Sequence, residues 1–193
     1  MPYRQTKAVR ERLTARRAAI LDAAMALALD GGFSAITTDA VAAKADVSIG
    51  TVYNNFADRD DIVAAIVTAQ LRAVIAAMGD QHPGVLGLAR AIAAYIRELR
   101  TLDRLGLPLT AMPAFRIGIT RHLERHIAAV ADPITGTSAT LALALYGLLS
   151  AVVLSGPQIA SARKNEPALI SMGLRAIGIG ERRALEAAMR ASA

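Results

Sequence analysis

The chain has 193 residues, 54% of them hydrophobic but only 4% aromatic. That length supports one or two small domains with a real core, and the Ala, Leu, Ile and Val content favours packed helices over sheets. The absence of cysteine excludes disulfides, thiolate metal sites and cysteine nucleophiles and makes a cytoplasmic location the simple expectation. The formal charge of +6 is unevenly placed, with Arg4, Lys7, Arg10, Arg12, Arg16 and Arg17 against Glu11 alone in the first twenty residues. Such a basic arm can reach phosphates or a minor groove, and a solvated tail is the competing reading. No apolar signal segment follows it, so secretion is not expected.

A first helix is predicted over about Val9 to Asp30, where Leu13, Ile20, Leu21, Ala24, Leu27 and Ala28 recur at helical spacing before Gly31-Gly32. Phe33 and Ile36 form a short link packed against it. Thr37 then caps a second helix through its hydroxyl. Asp46 lies at a turn, where its short side chain tolerates left-handed backbone. Ser48 caps a third helix too short to persist alone in water. Val41, Val47, Val52 and Phe56 must bury it against the first helix, and against the next through Ile62 and Ile66.

Beyond Phe56, Asp58-Arg59-Asp60-Asp61 opens a longer helix reaching about Gly79, with Asp60 and Asp61 at the positive end of its dipole. Gln81 to Gly84 is a break. Val85 to Asp103 carries an apolar stripe of Leu88, Ala89, Ile92, Ile96 and Leu99. Gly106 to Pro113, interrupted by two prolines, reads as a loop or short helix. Helices over Ile117 to Ala131, Thr137 to Ser155 and about Pro167 to Ile177 follow, and Glu181 to Arg190 is a last helix or a frayed tail. No strand alternation or internal repeat interrupts this, so the expected fold class is all-α.

Pro133 to Ala162 carries no charge, and Leu141 to Leu154 is almost wholly apolar. That run is shorter than the roughly 20 residues of a membrane span. Thr140, Gly147 and Ser150 interrupt the region, and Pro133 and Pro157 limit it. It reads as a helix buried in the protein or between subunits, with no membrane partner.

Two short helices around a three-residue turn, within Thr37 to Phe56, have the spacing of a DNA-binding helix-turn-helix. With Val52 and Phe56 turned inward, Ile49, Gly50, Thr51, Tyr53, Asn54 and Asn55 are left for the groove. Gly50 lets backbone approach closely, and the Thr51 and Tyr53 hydroxyls suit phosphate oxygens. Asn54 and Asn55 can read adenine edges, and Ile49 can meet a thymine methyl. The alternatives are a partly buried Tyr53 and asparagines that cap the helix C-terminus.

Gly32-Phe33, Thr37-Thr38, Val41-Ala42, Val47-Ser48, Gly50-Thr51-Val52-Tyr53 and Phe56 together resemble the helix-turn-helix of the tetracycline-repressor (TetR) family, over about Arg16 to Ile66. Arg59 matches a position where that family carries a phosphate-touching basic residue. The DNA-facing set then also includes Thr37, Thr38, Lys44 and Ser48. Three features depart from the family pattern: Asp46 replaces the usual turn glycine, Asp39 puts an acid near the DNA-facing start of the second helix, and Ile49 stands where a polar or basic residue is common. Asp39 repels phosphate unless it accepts a hydrogen bond from a base such as cytosine. The recognition helix carries no charge, so phosphate attraction falls to the arm, Lys44 and Arg59.

The resemblance implies a basic arm and DNA-binding domain over residues 1–57, followed by a helical effector-binding and dimerisation domain over 58–193. It implies a homodimeric repressor released from a palindromic operator by a small molecule. The alternatives are a helical DNA binder without ligand control and a membrane-associated helical protein. Dimerisation is also demanded physically, because one short helix buries too little to be selective. The expected interface is the helix Thr137 to Ser155, where Gly147 and Ala151 permit close approach, with the helix Pro167 to Ile177. The competing role for the apolar helix is the subunit's own core.

His122 and His126 fall on the apolar stripe of Ile119, Leu123, Ile127 and Val130. Two imidazoles four apart can share a metal, but nothing local supplies the remaining ligands, so no metal is expected. They read as polar anchors of a ligand pocket walled by Tyr95, Met112, Phe115 and Tyr146, or as structural residues. No nucleotide-binding glycine loop or paired metal motif accompanies them, and neither a cofactor nor an enzymatic activity is expected.

Overall fold

The computed structural model describes residues 7–79, 84–104, 109–130, 137–154 and 165–193. Every regular element among them is helical: α1 (Lys7–Gly31), α2 (Thr38–Lys44), α3 (Ile49–Tyr53), α4 (Arg59–Met78), α5 (Val85–Arg104), α6 (Pro113–Ala128), α7 (Ser138–Leu154), α8 (Glu166–Ala176) and α9 (Glu181–Ser192), with 3-10 turns at Phe33–Ala35 and Leu109–Ala111. The chain divides into two compact units, Met1–Ala69 and Gln70–Ala193, and α4 contributes residues to both.

In the first unit, Ile20, Ala24, Ala28, Ile36, Val41, Val52, Phe56 and Ile62 form the core. Burial on α1 begins at Ile20. Leu13, two turns earlier and part of the expected inward stripe, is exposed instead, as is Val9. The first turns of α1 therefore project with Arg10, Arg12 and Arg16 in solvent. Gly32 ends the helix at a φ of 71°, a conformation a side chain would strain.

In the second unit, α5 is more deeply buried than an amphipathic stripe implies. Leu88, Ala89 and every residue from Ala91 to Ile96 are buried. The alanines at 89, 91, 93 and 94 let α6, α7, α8 and α9 all pack on this helix. Helix α6 starts at Pro113, four residues before the expected Ile117, because proline is pre-shaped for a first helical turn. Phe115 is thereby drawn into the helix and buried. Gly118 permits a close approach to α4: a β-carbon there would clash with the Leu71 side chain.

Residues 181–192 are a full helix rather than a tail, held by buried Ala184, Ala187 and Ala188 after a turn at Gly178. Helix α7 buries Leu141, Ala142, Leu145, Tyr146, Leu149 and Ser150. Its 17 residues fall short of a membrane span; the flanking Pro133 and Pro157 lie outside the described residues. By length and composition alone, α4 is long and apolar enough to cross a membrane. Its Ile62, Ile66, Val67, Val74 and Met78 are buried, 28% of that apolar stretch.

Candidate nucleic-acid interface

The recognition surface is built from two capped helices. Thr37 Oγ1 accepts a hydrogen bond from Ala40 N at 3.1 Å, and Ser48 Oγ accepts one from Thr51 N at 3.1 Å. Each satisfies an otherwise orphaned amide of a first helical turn. Between the helices Asp46 takes a φ of 53°, the left-handed conformation expected of that turn. The Ser48 and Thr51 hydroxyls are also 2.8 Å apart, so both hydroxyls are tied to the cap. Thr38 opens α2 with its side chain half-buried.

Val52 and Phe56 are buried and orient α3. Ile49 and Tyr53 stand 46% and 55% exposed, beside exposed Gly50 and Asn54. Tyr53 is thus outside the core. The two asparagines differ. Asn54 is exposed, whereas Asn55 is half-buried and its Nδ2 donates to Thr51 O at 2.8 Å. Asn55 also accepts, through its backbone carbonyl, a hydrogen bond from Arg17 Nη1. The same guanidinium lies 3.9 Å above the Phe56 ring, a cation–π contact that seals the end of α3. The Asn55 side chain therefore satisfies a carbonyl of its own helix, whose C-cap is Asn54.

The basic residues divide likewise. Lys44 Nζ lies 3.2 Å from Asp30 Oδ2, an exposed pair worth at most about 1 kcal/mol and open to exchange for a phosphate. Arg59 works inside the unit: its Nε donates to Ile36 O at 2.8 Å and its Nη2 to Phe33 O at 2.7 Å. Its Nη1 donates to Asp60 Oδ1 at 3.1 Å. The guanidinium clasps the link after α1 to the start of α4. Arg59→Ala is expected to destabilise the first unit by about 1.5–3 kcal/mol, the range for hydrogen bonds to a charged group. The slope of log affinity against log salt should stay the same. Thermal melts and a salt titration check this; an unchanged melt with a flatter slope would make Arg59 a phosphate ligand instead.

In the second unit, Tyr95, Phe115 and His122 are fully buried and Tyr146 nearly so. The Tyr95 and Tyr146 rings stack with centroids 6.1 Å apart. The Tyr95 hydroxyl lies 3.1 Å from Ser150 Oγ, and Tyr146 donates to Thr110 O at 2.8 Å. Burial raises both phenol pKa values, that of Tyr95 far above the ordinary one, so both remain neutral hydrogen-bonding groups. Met112 is a half-buried N-cap of α6. His122 Nδ1 accepts from Arg125 Nη2 at 2.8 Å, and His126 Nδ1 donates to His122 O at 3.1 Å. No group of three or more metal-ligating side chains occurs among the described residues. His126 lines a cleft of about 370 Å³ with Met78, Gly87, Arg90, Ala94 and Arg97, and the sequence reading missed the two arginines.

Residues 20–66 match the family described as bacterial regulatory proteins, tetR family. Over 97 residues the chain is 34% identical to the HTH-type transcriptional repressor KstR of Rhodococcus jostii (strain RHA1), a stretch covering 50% of this chain and 45% of that protein. The match thus spans less than half of that relative's length. Among solved structures, SmeT, the repressor of the Stenotrophomonas maltophilia multidrug efflux pump SmeDEF, has a TM-score of 0.65 at 20% identity, covering 83% of this chain and 89% of that one. RolR in complex with resorcinol has a TM-score of 0.61 at 21% identity, covering 93% and 96%. At these identities the likeness is one of fold.

Proposed function

We propose that this chain, whose residues 20–66 match bacterial regulatory proteins of the tetR family, is a homodimeric transcriptional repressor released from a palindromic operator by a small molecule. The observation that carries the reading is the split on α3, where Val52 and Phe56 are buried while Ile49, Gly50, Tyr53 and Asn54 face out. That arrangement offers one apolar side chain, one amide and one phenol on a short rigid support, which suits a major groove. Asn54 reads a base edge, Ile49 meets a thymine methyl, and Tyr53 and Thr38 position the backbone. Asp39, exposed on α2, accepts from cytosine. The relatives support the rest: KstR is a repressor, and the fold neighbour RolR holds resorcinol. On this reading the protein is a regulator rather than an enzyme and acts in the cytoplasm, where a bacterial chromosome lies.

A footprint of the purified protein on its own upstream DNA at moderate salt tests the proposal. Two protected half-sites one or more helical turns apart are expected; absence of protection would overturn it.

An uncharged recognition helix leaves phosphate attraction to Lys44, to α1 and to the residues before it. Removing residues 1–10 deletes Arg4, Lys7 and Arg10. The salt slope of operator binding should fall by about 0.9 for each phosphate left without its cation, with the preferred sequence unchanged. An unchanged slope would remove the arm from the interface.

A further inference from the structure

We infer that the cleft of Arg90, Arg97 and His126 is the effector site, and that it takes an aliphatic carboxylate by its head group. This rests on the reading of the chain as a ligand-responsive repressor and names the chemistry of the ligand. Arg90 and Arg97 are seven residues apart on α5, about 10 Å along one side of the helix, and Ala94 between them leaves the floor open. Met78, Ala77 and Ala191 supply apolar wall. None of the described residues lining the cleft is acidic. The nearby carboxylate of Glu166 is divided between two arginines, 2.8 Å from Arg97 Nη1 and 3.6 Å from Arg100 Nη1. Arg90 is exposed and has no carboxylate within ion-pair distance among the described residues.

Helix ends also act here. Ala77, Met78 and Ala191 lie in the last turns of α4 and α9, whose carbonyl ends carry about half a negative charge each, while Gly87 lies in the first turn of α5, which carries about half a positive charge. Among the described residues, the full charge of Arg90 and the incompletely offset charge of Arg97 leave the cleft electropositive. One guanidinium's planar fork matches a carboxylate's paired oxygens and gives it orientation, and Arg90 has its fork uncommitted to any described carboxylate. His126 donates Nδ1–H to the carbonyl of His122, so Nε2 of the neutral ring is an acceptor that lines the cleft without bonding the carboxylate. A volume of about 370 Å³ lies within the range of small-molecule sites.

Calorimetry on the full chain with octanoate, 1-octanol and inorganic phosphate tests this. Octanoate should bind at least tenfold tighter than octanol, and phosphate, lacking the apolar tail, should not bind measurably. Arg90→Gln should weaken octanoate about tenfold, leave octanol unchanged and keep the thermal midpoint; Arg97→Lys should weaken octanoate in the same direction. Equal binding of octanoate and octanol, octanoate binding unaffected by Arg90→Gln, or no octanoate binding at millimolar concentration would overturn the assignment. Operator binding is measured on the same samples. An operator complex that forms but ignores octanoate overturns the effector site and leaves the repressor reading intact. A parent protein that binds octanoate but no operator overturns the repressor reading itself.

Discussion

Phe56→Ala is expected to unfold the first unit and abolish specific DNA binding, although Phe56 itself faces away from any duplex. The ring is 1% exposed, and truncating a buried phenylalanine costs about 3–5 kcal/mol. Loss of the Arg17 stack adds about 0.5–1 kcal/mol. A unit of 69 residues has a total stability of only about 3–10 kcal/mol at the usual 0.05–0.15 per residue. The substitution therefore removes a large part of what holds α3, and a helix of five residues does not survive by itself. Hydrogen exchange on the full chain provides the check. Amides of α2 and α3 should lose protection while those of α5 keep theirs, and operator affinity should fall at least 100-fold. Retained protection at Val41 and Val52 in the variant would show that the ring does not hold the unit together.

The second large effect is expected from Leu143→Glu on α7. Leu143 is 53% exposed beside exposed Ala144 and Gly147, and a β-carbon on Gly147 would meet nothing within 4 Å. This open apolar strip on a helix without a charged residue is our proposed dimer surface, together with α8. A symmetric interface receives the substitution twice, and burying an unpaired carboxylate costs several kcal/mol. Sedimentation should show monomer, with helicity unchanged because the residue faces outward. Affinity for a two-half-site operator should drop about 1,000-fold or more, from the specific towards the non-specific range. A dimer that persists in Leu143→Glu with operator binding intact would move the interface elsewhere.

The reach of the sequence can be judged residue by residue. The caps at Thr37 and Ser48, the left-handed Asp46 and the inward pair Val52 and Phe56 were all legible, because each depends on neighbours within about four positions. The sequence predicts α6 only from Ile117 because a proline reads as a breaker, but the missing N–H of Pro113 is harmless in a first turn. The expectation that Arg59 touches phosphate carries no sign of its bonds within the unit, because a basic residue after a helix has no local mark of its acceptors. Its acceptors, the carbonyls of Ile36 and Phe33, lie 23 and 26 residues away. Asn55 looked as free as Asn54; only the path of the chain leaves one at the surface and turns the other back on Thr51.

The amino-acid order alone determined the all-helical class, the capped helix-turn-helix and the outward face of Ile49, Gly50, Tyr53 and Asn54. Those features come from periodicity and from hydrogen bonds spanning a turn or less, which a linear pattern records directly. Tertiary structure decided that Arg17 seals Phe56 from 39 positions away, that Tyr95 meets Ser150 from 55 away, and that Arg90 and Arg97 open onto one cleft with His126. A guanidinium, phenol or imidazole can satisfy itself with any acceptor brought within about 3 Å, and which one arrives depends on how the helices pack.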